Sequence, residues 1–359
     1  MKEDANPTIE VRQGEGLDAD RLGAYLRKEM GDLGEGMAIA QYPSGKSNLT
    51  YLLTFTGRSL VLRRPPLGTK AITAHDMSRE FNVLRALKPH YPWVPQVELY
   101  CSDESVLGTA FYLMERVAGR LLPREIPPAW NWSVQDHRRL CAAFWDRLIA
   151  LHRLDYRQVN LGGLARPEGY ARRQIEGWNR RFDRARTADA PEASDVMEWL
   201  ARRIPEDETP VILHNDYRMD NVIWNQQDPF QVQAVVDWEM AAVGHPLMDL
   251  GNSLAYWVEA GDDAAAREAA SQPSDLPGMF SRRGVVDYYR EKTGRPVEHI
   301  EFFYVAGMFR LAAIIQQIYY RYDRGETQDS RFDGWITEVH RLVRRCQSVI
   351  AGARWSLDP

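Results

Sequence analysis

Three short apolar runs, and the polar residues that interrupt them, constrain the fold of this chain more than any other feature. Residues 211–213 form a β-prone run that leads into the turn His214-x-Asp216. Asn221 opens the second run, a turn-rich segment follows, and the third run ends at Asp237. If the second and third runs pair as a hairpin, Asn221 and Asp237 lie at its same end. We therefore predict a hairpin that begins at an amide side chain and ends at a carboxylate.

The spacing of these polar residues matches the needs of phosphoryl transfer. The reaction requires a carboxylate that orients or deprotonates the attacking hydroxyl, and oxygen ligands that hold Mg²⁺ against nucleotide phosphates. The pattern H-x-D-x-x-x-x-N, with a further Asp about fifteen residues later, is that of a kinase catalytic loop. We predict that Asp216 is the catalytic carboxylate and that Asn221 and Asp237 are the magnesium ligands.

Two other interpretations of the same region are open. Asp216, Asp220, Asp237 and Glu239 could be loop carboxylates that cap turns, as most Asp residues are. The carboxylates could also form a hydrolytic metal centre with His214, but no His-rich ligand spacing accompanies them. We expect His214 to be a packed, hydrogen-bonded scaffold residue.

Further motifs stand on both sides of this segment. They are Ser44-Gly45-Lys46-Ser47-Asn48, Val61-Leu62-Arg63-Arg64, Phe111-Tyr112-Leu113-Met114-Glu115, Asp237-Trp238-Glu239 and Pro246-Leu247-Met248-Asp249. In this order the motifs resemble the aminoglycoside phosphotransferase and choline kinase superfamily, over residues 30–345. The sequence is most similar to the kinase-like domain that is fused to some acyl-CoA dehydrogenases. The resemblance implies a two-lobed, protein-kinase-like α+β fold, with ATP and Mg²⁺ as cofactors.

The resemblance assigns nucleotide-binding roles to residues that precede the catalytic segment. Ser47 lies in a small polar turn whose amides could approach phosphates, although a plain hairpin turn explains the same residues. Arg63 stands where the family places a phosphate-binding lysine, and arginine binds phosphate through a planar fork. Glu80 is expected to pair with Arg63, the alternative being a surface residue on a solvated helix. Arg64 is expected on the opposite, solvated face of the strand.

An apolar strand over residues 111–114 marks the expected hinge between the two lobes. The resemblance implies that backbone groups of Glu115 and Val117 form hydrogen bonds with the adenine. The predicted domains are an N-terminal nucleotide-binding lobe, residues 1–118, and a C-terminal catalytic and acceptor-binding lobe, residues 119–359.

The acceptor is expected to be a small molecule with an alcohol group. Too few residues separate Asp237 from the Pro246 motif to form a long activation segment for a protein substrate. Arg218 occupies the place of a catalytic-loop cation that could neutralise the transferring group. Six arginines within residues 172–186 form either an electropositive wall for an anionic substrate, such as a hydroxyacyl-CoA, or a solvated face balanced by acidic neighbours. An aminoglycoside acceptor would instead need an acidic cleft.

Three residues depart from the family's pattern. Asn215 stands where glycine is frequent and His245 where an acidic residue is frequent, but neither removes a catalytic group. Arg63 in the place of lysine favours a different class of function, a nucleotide-binding regulatory protein without turnover. Intact Asp216, Asn221 and Asp237 favour the enzyme.

Composition narrows the remaining classes. A net charge of −5 gives no reason to expect nucleic acid as a partner. The three cysteines are scattered and odd in number, which predicts neither a disulfide framework nor a metal site and suits a reducing cytoplasm. The polar residues 1–15, whose disorder stays open, do not resemble a signal peptide, and we expect no membrane segment. His152 is expected to be a core histidine, and the sequence leaves the oligomeric state unknown.

Overall fold

The structure is a computed structural model, and it describes residues 6–43, 48–66, 76–164, 166–327 and 330–356. The chain forms two compact units. The first consists of Met1–Leu121 with Asn221–Ala241, and the second of Leu122–Asp220 with Ala242–Pro359. The segment Asn221–Ala241 therefore joins residues that are far from it in sequence. The domain boundary drawn from the sequence, between residues 118 and 119, stays a prediction.

An antiparallel sheet forms the body of the first unit. Its strands are β1 (Ala38–Gln41), β2 (Leu49–Phe55), β3 (Arg58–Arg64), β4 (Val97–Cys101) and β5 (Phe111–Glu115), in the order β1-β2-β3-β5-β4. The turn between β2 and β3 contains only Thr56 and Gly57, and Gly57 has a φ of +88°, which glycine adopts without strain. Leu53, Leu60 and Leu113 alternate toward one face, where they are fully buried in the core of this unit.

Three helices accompany this sheet. They are α1 (Ala19–Met30), α2 (Met77–Leu87) and α3 (Glu104–Leu107). Each begins after an aspartate, Asp18, Asp76 or Asp103, whose side chain accepts a hydrogen bond from an amide of the first turn. The helix on which Glu80 was expected is α2.

The segment before α1 packs against the sheet and corrects one prediction. Ile9 exchanges two backbone hydrogen bonds with Gln41, at 2.8 and 3.0 Å. Arg64 was expected to be solvated, but it is buried and donates to the hydroxyl of Tyr51 and, at 2.8 Å, to the carbonyl oxygen of Glu15. The prediction of a solvated Arg64 is wrong because residues distant in sequence cover that face of the strand.

After β6 (Val211–Leu213), which belongs to the second unit, the chain returns to the first unit as a hairpin. Strands β7 (Val222–Trp224) and β8 (Val232–Val235) are antiparallel, as predicted. The amide of Val236 donates to the carbonyl oxygen of Asn221 at 2.9 Å. This bond continues the ladder by one step, so Asn221 and Asp237 lie at the same end of the hairpin.

The second unit is mainly helical. Its helices are α4 (Val134–His152), α5 (Tyr170–Arg184), α6 (Ser194–Arg202), α7 (Pro246–Ala255), α8 (Ala264–Glu268), α9 (Arg282–Thr293), α10 (Ile300–Asp323) and α11 (Trp335–Ile350). Strand β6 pairs antiparallel with β9 (Ala242–Gly244). An antiparallel sheet in the N-terminal part and helices in the C-terminal part agree with the predicted α+β class.

Helix α10 runs through the core of the second unit. It packs against α7 with almost no space between the backbones, because a Cβ atom at Gly251 would overlap the carbonyl oxygen of Phe303, and one at Gly307 that of Gly251. By length and composition alone α10 could cross a membrane, but 67% of its apolar window is buried inside the protein. A core helix of a soluble protein meets the same criteria, so this is weak evidence for a membrane span.

Candidate active site

A buried cation, Arg63, organises the polar residues of the first unit. Strand β3 carries this side chain, which is 7% exposed, toward α2, where its Nη1 atom donates to Glu80 Oε1 at 2.5 Å. Its Nη2 atom donates to Asp237 Oδ1 at 2.9 Å. Burial alone would lower the pKa of Arg63, but its acidic neighbours, of which Glu80 acts most strongly, together outweigh that effect, and the pKa is raised well above its ordinary value. The structure thus brings three of the predicted residues together.

Asp237 follows β8 in a strained backbone conformation. Its φ is +69°, in the left-handed region that residues with a side chain other than asparagine or aspartate rarely adopt. The carboxylate is 32% exposed, whereas Asn221 at the same end of the hairpin is buried. Strain of this kind persists where surrounding contacts determine the backbone, and here Glu80 also accepts a hydrogen bond from the amide of Trp238 at 3.0 Å.

Two further residues belong to this cluster, and sequence reasoning did not assign them. Asn48 Nδ2 donates to Glu239 Oε2 at 2.6 Å, and Glu239 lies 3.8 Å from the Arg63 guanidinium. The available signal was that Glu239 stands two residues after Asp237, which puts both carboxylates near one strand end. Ser47, the predicted phosphate-contacting residue beside Asn48, lies outside the described residues.

The predicted adenine-contacting residues lie at the end of β5. The amide of Glu115 donates to the carbonyl oxygen of Gln96 at 2.8 Å, and its carboxylate accepts from Lys88 Nζ at 3.0 Å. The sheet therefore already uses the amide of Glu115. Val117 is half-buried and forms no hydrogen bond with the described part of the chain, which leaves its backbone groups available to a ligand.

In the second unit, the loop after β6 carries Asp216 and Arg218. The Nε atom of Arg218 lies 3.5 Å from Asp216 Oδ1, and its Nη1 atom lies 3.2 Å from Asp220 Oδ2. The same guanidinium stacks on the ring of Tyr256, 4.7 Å from its centroid. The side chains of Asp216 and Arg218 are only partly buried, at 19% and 22% exposure, so a ligand can reach both.

A fully buried carboxylate fixes this loop. Asp249 of α7 accepts hydrogen bonds from the amides of His214 and Asn215, each at 2.7 Å, and its Oδ2 atom lies 3.2 Å from His152 Nε2. Burial would raise the pKa of Asp249. The hydrogen bond and charge of His152, the charge of His214 and the hydrogen bond from the His214 amide together lower it. His152 also bonds to the hydroxyl of Tyr289 at 2.9 Å, which confirms it as a core histidine.

Two of the three departures from the family's pattern, Asn215 and His245, have structural explanations. Asn215 has a φ of +65°, a conformation open to glycine and tolerated by asparagine, and its side chain donates to the hydroxyl of Tyr170 at 2.9 Å. His245 caps α7, where its Nδ1 atom accepts from the amide of Leu247 at 3.2 Å. Burial lowers the pKa of His245 to about 4, so at neutral pH it is an uncharged cap.

The six arginines within residues 172–186 are all exposed. Arg180 lies 3.9 Å from Glu176, and Arg186 lies 2.5 Å from Glu192. Arg181 instead stacks on the ring of Trp178. The solvated-face interpretation therefore describes most of this helix, with Arg181 as an exception.

The donor set at the hairpin end suits a hard divalent cation. Within the described ranges, no group of three or more His, Cys, Asp or Glu side chains could hold a metal ion. Mg²⁺ does not need such a cage, because proteins usually bind it through one or two carboxylates together with water and substrate phosphates. The carboxylate of Asp237 and the amide oxygen of Asn221 fit that requirement.

Comparison with known proteins defines the class and then the family. A model described as the phosphotransferase enzyme family, APH, matches residues 38–285. The fold and the match are those of kinase-like small-molecule phosphotransferases. This match covers well over half of the chain, and the protein belongs to the APH family.

Individual relatives agree with this assignment. Acyl-CoA dehydrogenase family member 11 of Gallus gallus is 33% identical over 337 residues, which are 88% of this chain and 41% of that protein. The chain thus spans about two-fifths of the length of this curated relative. A crystal structure from Ralstonia eutropha, provisionally assigned as an aminoglycoside phosphotransferase, has a TM-score of 0.77 and 28% identity and covers 94% of this chain and 100% of its own.

A more distant structure shows the fold alone. APH(2″)-IIIa in its complex with GDP and kanamycin has a TM-score of 0.61 at 15% identity, covering 91% of this chain and 98% of its own. The predicted superfamily, its branch with acyl-CoA dehydrogenase fusions and the kinase-like fold are therefore confirmed.

Proposed function

We propose that the protein transfers the γ-phosphoryl group of ATP to an alcohol group of a small molecule in a magnesium-dependent reaction. Family membership supports phosphoryl transfer. The complex of APH(2″)-IIIa with GDP and kanamycin supports a nucleotide donor and a small acceptor for this fold. The observation that carries the proposal is the buried guanidinium of Arg63, fixed between Glu80 and Asp237.

On the nucleotide side, the ion pair with Glu80 holds Arg63 in one orientation. A fixed guanidinium binds phosphate oxygens without losing rotamer freedom at that moment. Asn221 and Asp237 would hold Mg²⁺, which would neutralise negative charge on the nucleotide phosphates. Ser47 and the backbone of Glu115 and Val117 remain our candidates for contacts with the phosphates and the adenine.

On the acceptor side, Asp216 orients the attacking hydroxyl and accepts its proton. Asp249 holds the loop in place by accepting hydrogen bonds from two of its backbone amides, and so fixes where the Asp216 carboxylate lies. Arg218, next to Asp216, neutralises negative charge that develops on the transferring group. Positioning and electrostatic stabilisation of this kind account for most of the catalysis in phosphoryl transfer.

Among acceptors, we favour an anionic metabolite such as a hydroxyacyl-CoA over an aminoglycoside. Relatives in which a matching segment forms part of an acyl-CoA dehydrogenase support an acyl-CoA compound. An aminoglycoside is polycationic and would need a carboxylate-rich surface, whereas the arginines of α5 repel it.

The test is transfer of labelled γ-phosphate from MgATP or MgGTP to hydroxyacyl-CoA esters, aminoglycosides, choline and sugars. Asp216→Ala serves as the inactive control and Asp220→Ala as a carboxylate control on the same loop. The proposal is supported if the wild-type protein labels one class of acceptor, Asp220→Ala still labels it, and Asp216→Ala does not. Transfer that survives in Asp216→Ala would contradict the role of that residue.

A second function is a nucleotide-binding protein without turnover. Arg63 in the place of lysine, paired with Asp237 at 2.9 Å, is the observation that favours it. This alternative predicts MgATP binding by calorimetry but no labelled product with any acceptor. Restoring lysine in Arg63→Lys would then create activity where the parent protein has none.

A further inference from the structure

Arg310 of α10 is a buried cation with no carboxylate in contact among the described residues. The residue is 4% exposed, and its Nη1 atom is buried without a hydrogen-bond partner. Over the ranges that the structure describes, the side chain of Arg310 forms neither a hydrogen bond nor an ion pair. A buried charge without compensation destabilises a fold. A guanidinium in this position is therefore suited to an anion that comes from outside the protein.

The nearest partner of Arg310 is an indole ring. Its guanidinium carbon lies 5.4 Å from the centroid of Trp178, and that of Arg181 lies 4.4 Å from the same ring. An aromatic face attracts a guanidinium but does not neutralise its charge. The Nε1 donor of Trp178 is itself buried without a partner in the described structure. The Trp178 ring is thus in contact with two guanidinium groups, and both its own Nε1 and the Nη1 of Arg310 are donors without an acceptor in the described structure.

Repulsion among these cations remains uncompensated. Partial burial, followed by the like charges of Arg180 and Arg310, lowers the pKa of Arg181. Arg180 has a carboxylate neighbour, Glu176, at 3.9 Å. An anion in contact with Arg310 would offset this repulsion and use the free Nη1 donor.

Tyr256 connects this cationic cluster electrostatically with the catalytic loop. Tyr256, at the end of α7, stacks under the guanidinium of Arg218, which in turn contacts Asp216. Burial, followed by the charge of Asp216, raises the pKa of Tyr256, while Arg310 and Arg218 act in the opposite direction. Tyr256 therefore lies within electrostatic range of both Arg310 and the Asp216 carboxylate.

We propose that Arg310, together with Arg181 and the indole Nε1 of Trp178, binds an anionic group of the acceptor, a carboxylate or a phosphate, while the acceptor's hydroxyl faces Asp216. The inference rests on the proposed phosphotransferase function and narrows its acceptor to anionic hydroxyl compounds. A planar guanidinium can bind either group through two parallel N–H···O bonds. Arg310 is then the residue that determines specificity, and Asp216 the one that acts on the hydroxyl.

The experiment compares acceptors in pairs in which one member carries an anionic group and the other lacks it. Hydroxy acids are assayed beside their methyl esters, hydroxyalkyl phosphates beside the parent diols, and hydroxyacyl-CoA beside the corresponding N-acetylcysteamine thioester. Each pair is measured with wild-type protein, Arg310→Met, Arg310→Lys and Arg180→Met, at saturating MgATP. Arg180→Met is the matched control, because it removes an exposed, carboxylate-paired arginine of the same cluster.

We expect wild type to prefer the charged member of a pair. Arg310→Met should raise the KM of that member by about tenfold to a hundredfold, the range of one lost charge-assisted hydrogen-bonded contact. The KM of the neutral member and that of MgATP should not change. Arg310→Lys should recover part of the preference, which a purely packing role would not allow, and Arg180→Met should behave as wild type.

Three outcomes would overturn the inference. They are equal use of both members by wild type, the same preference in Arg310→Met as in wild type, and a KM for MgATP that rises together with that of the acceptor. If no compound is phosphorylated, the phosphotransferase proposal fails but the anion site is still decided by calorimetry with coenzyme A and with inorganic phosphate. The site is supported if wild type and Arg310→Lys bind these anions and Arg310→Met does not. It is refuted if wild type does not bind them, or if Arg310→Met binds them as tightly as wild type.

Discussion

Arg63 in the first unit and Arg310 in the second are both buried guanidinium groups, but their partners differ. Arg63 lies against the carboxylates of Glu80 and Asp237, and Arg310 lies against the ring of Trp178. A charge that carboxylates already hold is oriented in advance, and its removal would leave a buried carboxylate uncompensated. A charge without such a partner is free to bind an external anion. Under the proposed function, the comparison separates a nucleotide-binding side, whose buried cation already has its partners, from an acceptor-binding side, whose buried cation gains a partner when the acceptor binds.

The largest expected effect tests whether these two sides act independently. Asp216→Ala should lower kcat by roughly 10²- to 10⁴-fold, the range for loss of a catalytic base, and leave the Kd of MgATP within about twofold of wild type. The reason is that Asp216 lies in the second unit and contacts Arg218, whereas Arg63 and Asp237 lie in the first. Calorimetry with MgATP and single-turnover kinetics check both values. If Asp216→Ala weakened MgATP binding as strongly as it lowered kcat, the two sides would not act independently.

The next effect concerns the internal pair. Arg63→Met leaves Glu80 buried without its cation, and we expect the free energy of unfolding to fall by about 3–5 kcal/mol. Urea denaturation measures this change. Arg63→Lys keeps the charge and should lose less stability, with a moderately higher KM for MgATP.

The neighbouring Arg64 offers a matched control for that prediction. It is equally buried but bonds to Tyr51 and to a backbone carbonyl. Arg64→Met should lower stability without changing the KM of MgATP. If both methionine variants weaken nucleotide binding alike, Arg63 has no special role in it.

A smaller effect is expected at Asp249. In Asp249→Asn, one side-chain oxygen is replaced by an NH₂ group, so the amide of His214 or Asn215 loses its acceptor. An unpaired buried amide costs about 1–3 kcal/mol, and a displaced loop lowers the turnover by up to about a hundredfold. Wild-type affinity for MgATP together with a reduced kcat would place this residue on the acceptor side. A normal kcat would show that the loop does not depend on Asp249.

The smallest effect depends on pH and arises at His245. Its pKa is about 4 in the folded protein, below the ordinary value of 6.5, so the unfolded chain binds the proton more tightly. Stability is therefore unaffected above the ordinary value and falls as the pH drops toward 4. At pH 5 the loss is roughly 2 kcal/mol relative to pH 7.5. The variant His245→Asn keeps a helix cap but has no titratable side chain. Between pH 7.5 and pH 5, its free energy of unfolding should therefore fall by roughly 2 kcal/mol less than that of wild type.

Local sequence patterns predicted the parts of the site that lie close together along the chain. The His214–Asn221 loop and the hairpin to Asp237 follow from turn residues and β-prone runs. The Arg63–Glu80 contact needed the family resemblance, since nothing local links the two residues. His152 could be read as a core histidine from its place on a helix face, but not as a partner of Asp249.

The features that were missed depend on contacts between distant segments. Arg64 alternates toward the face that looks solvated in the strand alone, and the N-terminal segment covers it. Arg310 stands in an apolar helix where no local pattern shows whether a carboxylate lies nearby. Asp249 is one of many aspartates near a helix start, and only the tertiary structure shows that it accepts two amides of a loop 34 and 35 residues earlier in the chain.

The contact between α7 and α10 at Gly251 and Gly307 has a consequence for how acceptors are chosen. Backbones that touch cannot adjust by changing rotamers, so the two helices keep one spacing. Asp249, on one helix, fixes the transfer end, and Arg310, one turn beyond Gly307 on the other, fixes the anion end. The fixed spacing of the two helices therefore sets the distance between the two ends of the acceptor site. An acceptor that is one methylene too short or too long would reach only one of these ends.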